Sequence, residues 1–426
     1  MHRVACPMTV IGPDAPSPAS GAPVSPIAFR HRNYTLFWIA RLCATFAIQI
    51  VSVAVGWQVY DLTRDPFDLG LVGLVQFLPA FALVLVTGPA ADRFSRRLIM
   101  GICVAVEAAG ALALVALTFA HEISVVSIFA VLFVFGVARA FFGAASTSIV
   151  PNLVPKEALA NAITWTSSAW QFASIVGPVA GGLLYGLGGA VAYAVAAALL
   201  LLALALVAAI RVRQPRRAFE ANWRTLVAGF DYVFREKVVL GAITLDLFAV
   251  LLGGAMALMP AVARDVLDVG PWGLGLLRAA PGVGAIAVAA LLSVVPIRDH
   301  AGRIMFACVG LFGFATVVFG LSTTVWLSVA ALAVMGGADM VSVTIRETLL
   351  QLWTPDEVRG RVNAVNMMFV GASNELGEFR AGVTATFIGV MPAIVVGGIG
   401  AMAVAAIWAW RFPQLRTARG LDRREP

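Results

Sequence analysis

Charge is scarce in this chain. Only 12% of its 426 residues are Asp, Glu, Lys or Arg against 60% apolar, and the mean hydropathy is +0.91, far too little polar surface to coat a soluble globule. Lysine is scarcer still. The two lysines, Lys156 and Lys237, follow no Gly-x-x-x-x-Gly sequence, which excludes an ATP-hydrolysing loop of that type within the chain. The four histidines, His2, His31, His121 and His300, fall in tails or connections, and no His-Glu-x-x-His helix occurs. The four cysteines, Cys6, Cys43, Cys103 and Cys308, are dispersed, three of them inside apolar runs. Neither a metal centre, a cofactor site, a disulfide framework nor enzyme activity is therefore expected. The net charge of +7 sits in short connections between apolar runs, a placement that membrane topology explains and nucleic-acid binding does not.

What the chain has in abundance is apolar runs of about 20 residues, the length that crosses a bilayer. They are expected at 36–60, 69–90, 98–120, 123–148, 160–187 and 189–211, and again at 238–263, 272–296, 303–322, 324–347, 362–388 and 391–411. Twelve spans put both termini on one side. The even-numbered connections carry the basic residues: Arg93, Arg96 and Arg97, then Lys156, then the stretch Arg211 to Lys237, then Arg298 and Arg303, then Arg359 and Arg361. Among the odd-numbered connections, the first and the seventh hold single arginines, Arg64 and Arg264, each accompanied by aspartates (Asp61, Asp65, Asp68; Asp265, Asp268), and the others are nearly uncharged. By the positive-inside rule both tails belong in the cytoplasm of a multi-pass inner-membrane protein. Residues 1–28, rich in Pro, Ala and Ser, are expected to be a disordered tail, and 413–426 a basic one.

The longest polar interruption, 212–237, separates two six-span halves, 29–211 and 238–412. The halves repeat one another. At an offset of 200, Gly136 matches Gly336, Pro155-Lys-Glu157 matches Pro355-Asp-Glu357, Gly177 matches Gly377 and Gly182 matches Gly382. At an offset of 202, Gly73-Leu-Val-Gln-Phe-Leu-Pro79 matches Gly275-Leu-Leu-Arg-Ala-Ala-Pro281. Between the second and third spans lies Gly88-Pro-Ala-Ala-Asp92-Arg93-Phe-Ser-Arg96-Arg97. Its Gly-x-x-x-Asp-Arg-x-x-Arg-Arg spacing resembles the signature loop of the major facilitator superfamily of secondary transporters, with Ser95 in place of the family's usual glycine. That resemblance implies an all-α membrane fold of two pseudo-symmetric six-helix bundles, a substrate site between the halves near the midplane, and a monomer working in the lipid bilayer.

Polar residues inside the spans mark where chemistry could lie, because a charge facing lipid costs about 2.5–3.5 kcal/mol at a helix centre. Arg139-Ala-Phe-Phe-Gly143 resembles the superfamily's fourth-helix motif; Arg139 either faces the cavity or locks its helix to a neighbour. Ala173-Ser-Ile-Val-Gly177-Pro178-Val-Ala-Gly181-Gly182 resembles the end of the antiporter motif, and small-residue packing is its alternative reading. The eleventh span holds Glu375, Glu378 and Arg380. The glutamates, three apart, share a helical face, where mutual repulsion in low dielectric favours protonation and suits a proton carrier; an inert ion pair with Arg380 is the alternative. Glu107, Asp246 and Asp339 are further intramembrane acids, and Asp339, at the repeat position of Arg139, is expected to face it across the cavity.

Thr354-Pro-Asp-Glu-Val-Arg359-Gly-Arg361-Val-Asn-Ala-Val-Asn366, continued by Gly371-Ala-Ser-Asn-Glu375-Leu-Gly377-Glu378-Phe379, resembles the enterobactin-exporter-like branch of the superfamily. The resemblance covers 29–411 and implies proton-driven efflux of a small organic molecule, a siderophore or drugs, with antiport and multidrug resistance among the branch's properties. Uptake by the same fold, or a non-transporting receptor, stays open. Trp57, Gln58, Trp165, Trp170, Gln171, Asn366 and Asn374 are the expected cavity groups for an amphiphilic ligand.

Overall fold

The computed structural model describes residues 27–212, 230–295, 297 and 299–417. Among them twelve long helices form: α1 (Arg32–Thr63), α2 (Pro66–Arg93), α3 (Arg96–Phe119), α4 (Val125–Ile149), α5 (Lys156–Leu187) and α6 (Gly189–Ala209), then α7 (Lys237–Gly253), α8 (Pro271–Val294), α9 (Ala301–Leu321), α10 (Val325–Trp353), α11 (Asp356–Ile388) and α12 (Val390–Arg411). No strand forms among these residues. Ten of the spans are apolar enough to cross a membrane on composition alone. The two that fall short, α5 and α11, pack against α8 and α2 of the opposite half.

Local chemistry sets the breaks. Asp65 caps α2 by accepting from the Phe67 amide at 2.9 Å, with Pro66 pre-set at the first position. Single glycines in positive φ, Gly188 (147°) and Gly389 (89°), turn α5 into α6 and α11 into α12 at repeat-related points. Several helices run past the expected apolar limits: α5 and α11 begin at Lys156 and Asp356, and α10 reaches Trp353. Hydropathy finds only the part of a helix that lies in lipid, and polar turns continue beyond it. The seventh span differs in the other direction. It breaks after Gly253 and proceeds through short turns to a π-helical segment, Val262–Val266. The expected disordered tail and the linker lie mostly outside the described residues; residues 230–235 are helical, Ile27–Arg30 forms a 3-10 turn, and Pro413–Arg416 forms α13, whose Leu415 is fully buried, so the C-terminal tail starts packed.

Each half packs on itself. One apolar cluster unites α1 and α3–α6, another fills the second half, and a third joins second-half helices to Val53 and Trp57 of α1. The repeat glycines sit where backbones approach: a Cβ on Gly136 would strike the Gln76 carbonyl on α2, and one on Gly336 the Pro281 carbonyl on α8. The halves meet through α5 against α8 and α2 against α11. Gly182 lies 3.1 Å, by a notional Cβ, from the Gly275 Cα, and Gly382 lies 2.8 Å from the Gly70 Cα. Such small-residue contacts are how helices associate where no hydrophobic effect drives them together. Both contacts lie toward the end of the molecule that carries the α1–α2 and α7–α8 turns.

Candidate functional site

Between the halves lies a cavity of about 270 Å³, walled by α1, α2, α4, α5, α8, α11 and the break after α7. Its polar wall contains Gln49, Ser52, Gln76, Arg139, Arg278, Glu375 and Glu378, and its apolar wall includes Val72, Leu132 and Phe135. Glu375 and Glu378 come from α11 in the second half and converge on Gly73 of α2 in the first: a Cβ there would stand 2.5 Å from Glu375 Oε2 and 3.3 Å from Glu378 Oε2. Glycine at 73 therefore makes the room in which the two carboxyls sit. The charge of Arg139 acts on Glu375 and that of Arg278 on Glu378, yet among the described residues no ion pair closes. Instead Arg139 Nη1 donates to Gln76 Oε1 at 3.1 Å, and Arg278 Nη1 donates to Ser52 Oγ at 2.7 Å.

Several expected members of the site are elsewhere. Arg380 does not pair with either glutamate: its Nε donates to the Leu251 carbonyl at 2.9 Å and its Nη2 to the Leu252 carbonyl at 2.5 Å, capping groups left without helical partners by the break after Gly253. Asp339 does not face Arg139. It shares a small cavity within the second half with Asp246, Cys308 and Ser342, and Asp246 is ion-paired to Arg346. Glu107 is fully buried on α3, away from the cavity wall, with no partner for Oε1 among the described residues. None of the seven expected aromatic and amide groups lines the central cavity. Trp57 lies under Arg264, Gln58 accepts from the Tyr193 hydroxyl at 2.6 Å, and Trp165 packs edge-on against Phe29. Gln171 borders a lateral groove between α5 and α8, beside the exposed Trp170; Asn366 donates to Glu347 Oε1 at 3.0 Å, and Asn374 donates to the Val370 carbonyl.

The motif residues have structural work that spacing alone did not reveal. Arg96 Nη1 donates to the Ser148 carbonyl and Arg97 Nη1 to the Ile210 carbonyl, both at 2.6 Å, so the signature loop caps the ends of α4 and α6. Arg93 is exposed, the space around Gly88 is open, and the Asp92 side chain is outside the described set. On α5, Gly177 and Gly181 abut Gln49 and Ile50 of α1, Pro178 borders the cavity, and Gly182 meets α8. A Cβ at Gly143 would meet nothing within 4 Å among the described residues.

A second polar cluster closes the halves at the α1–α2 end. Arg264 pairs with Asp61, Arg64 pairs with Asp265 at 3.3 Å and approaches Asp61 at 3.9 Å, and the Tyr60 hydroxyl donates to Asp265. The irregular backbone of both helices serves this crossing: Arg64 adopts a left-handed conformation (φ 56°), and Arg264 and Asp265 ride on the π-helical segment.

The family model described as "Transmembrane secretion effector" matches residues 22–423. The chain belongs to this family, within the major facilitator superfamily. Enterobactin exporters EntS of Shigella boydii serotype 18 and of Escherichia coli O139:H28 are each 28% identical over 383 residues, spanning 87% of this chain and 86% of theirs. Solved structures show the same fold: a bacterial homologue of the human lysosomal transporter Spinster, inward-facing and unoccupied (TM-score 0.71, 14% identity, 93% of this chain and 99% of that one), and a POT family transporter in complex with 5-aminolevulinic acid (TM-score 0.72, 11% identity, 90% and 96%). This secretion-effector family member is thus a multi-pass membrane transporter of a small molecule and not an enzyme, all-α, with two six-helix bundles.

Proposed function

We propose that the protein is a proton-coupled exporter of a small amphiphilic organic molecule, a siderophore or a drug, working by alternating access with both termini in the cytoplasm. One observation supports this above the others: two membrane-embedded carboxyls from one half project into the interfacial cavity against a glycine of the other, so their surroundings change whenever the halves move. Acids so placed can exchange protons with either side in turn. The arginine-rich loops assign the cytoplasmic face, which makes the α1–α2 end external and the arrangement described above an inward-facing one. The similarity to EntS favours export over uptake. The test is accumulation of candidate compounds in inverted vesicles with and without a proton gradient. Gradient-dependent accumulation that Glu375→Gln and Glu378→Gln uncouple supports the reading. Opposite direction makes the protein an importer, no flux of any compound makes it a receptor, and normal coupling in both variants moves the proton site to Asp246 or Glu107.

A further inference from the structure

Arg278 is a guanidinium inside an apolar span, and the glutamates alone do not explain it. An arginine buried in a membrane protein demands a carboxylate or several acceptors. Here its contact is a neutral hydroxyl, Ser52 Oγ at 2.7 Å, and its Nε is buried with no partner among the described residues. Its carboxylate neighbour Glu378 lines the same cavity without being paired to it. The connectivity of these three groups is unequal. Arg278 on α8 and Glu378 on α11 belong to the second half and travel together, whereas Ser52 on α1 belongs to the first and leaves when the halves separate. The room for movement exists as well, since Gly56, whose notional Cβ lies 3.3 Å from Arg278 Nη2, presents no side chain to obstruct the guanidinium.

We infer that Arg278 is the switch residue of proton coupling, held by Ser52 in the arrangement described here and paired with Glu378 when the halves rearrange. This rests on the reading that the glutamate pair carries the proton. Pairing with a guanidinium favours the ionised carboxylate, so as Arg278 leaves Ser52 at the start of the change the Glu378 O–H bond breaks and the proton passes to cavity water that still opens to the cytoplasm. In the outward-facing arrangement a proton from outside binds the carboxylate, and Arg278, released, returns to Ser52 as the halves close. Among the described residues, the other charges facing Glu378 are Glu375 on its own helix and, through Glu375, Arg139 on α4; α2 lines the cavity with uncharged residues, among them Gly73 and Gln76, and Arg380 is turned to the α7 carbonyls. Arg278 is thus a positioning residue for the charge state of Glu378.

The experiment needs no transported compound. With the four native cysteines replaced by serine, a cysteine is introduced at Leu69, which is 2% exposed and borders the cavity at its closed end. Its rate of reaction with a membrane-impermeant maleimide, added at the α1–α2 end, is followed from pH 5 to 9. The reference profile depends on pH. Arg278→Gln and Ser52→Ala shift its midpoint in opposite directions, each by about tenfold in proton concentration, because one removes the ion-pair partner and the other its competitor; Arg278→Lys restores most of the reference behaviour. If Arg278→Gln and Ser52→Ala both keep the reference midpoint while Glu375→Gln/Glu378→Gln flattens the profile, Arg278 is structural and the inference falls while the glutamate reading stands. A profile unchanged by the double glutamate substitution overturns that reading and this inference with it.

Discussion

Removing the crossed ion pairs at the α1–α2 end should open that end by a calculable amount. Arg264 pairs with Asp61 and lies over the Trp57 ring, 5.5 Å from its centroid. Its side chain is 26% exposed and that of Asp61 45%, so the pair is worth the modest ~0.2–1 kcal/mol of solvent-screened ion pairs, and the ring contact adds about 0.5–1 kcal/mol. Arg264→Gln should therefore cost the closed arrangement about 1 kcal/mol, a fivefold change in its ratio to the open one. Asp61→Asn should cost slightly less, since the ring contact survives, and the charge swap Asp61→Arg with Arg264→Asp should recover part of the loss. The assay is the same maleimide labelling at Leu69→Cys, run at low and at about 1 M salt, where screening shrinks the Debye length to roughly 3 Å and the difference between variants should contract. Labelling of both single variants at the reference rate in low salt would refute the idea that this cluster holds the halves together; glycine packing between α5 and α8 and between α2 and α11 would then carry the closure alone.

Two further outcomes are expected. Asp92→Asn should slow transport and lower the outward-facing population by up to about fivefold, because an acid among the loop arginines can pair with the positive end of α11 near Arg359–Val362 in the other state, a helix-dipole contact of about 0.3–1 kcal/mol; unchanged rate and populations would dismiss it. Arg380→Ala should lower the melting temperature in detergent, since two carbonyls at the α7 break lose their donors at about 1–3 kcal/mol each, while proton stoichiometry per transported molecule stays as it was; an altered stoichiometry would return Arg380 to the coupling site.

The bilayer made much of this architecture legible. Because each span must be long, apolar and helical, counting runs found all twelve helices, and the repeat at offsets of 200 and 202 anticipated paired glycines that prove to be close backbone contacts at Gly136/Gly336 and, across the halves, at Gly182 and Gly382. The acids on α11 were also readable, since a three-residue spacing keeps both on one face. What failed was inference from nearness in sequence. Arg380 follows Glu378 by two residues, which on a helix of 3.6 residues per turn is a rotation of about 200°, so it points at α7 and not at the cavity. Equivalence by repeat failed in a different way: Arg139 is long enough to reach Gln76 on α2, whereas Asp339, at the matching position, has a short side chain that stays with Asp246 and Arg346 inside its own bundle. The tryptophans misled because a large ring is more readily satisfied by packing between helices than by bordering a wet cavity. Arg278 also carries a signal in the sequence. It stands opposite Gln76 in the repeat, a charge where the first half has a neutral amide, and an arginine in an apolar span seldom lacks a task. The asymmetry matters physically: charges held by one half meet new neighbours when the other half moves, and coupling an ion to conformation needs such a change. Glu375, Glu378 and Arg278 all lie in the second half, and the first meets them with Gly73, Ser52 and Arg139. Relative motion of the halves therefore changes what each of these charges faces, which is the condition for tying proton movement to conformation.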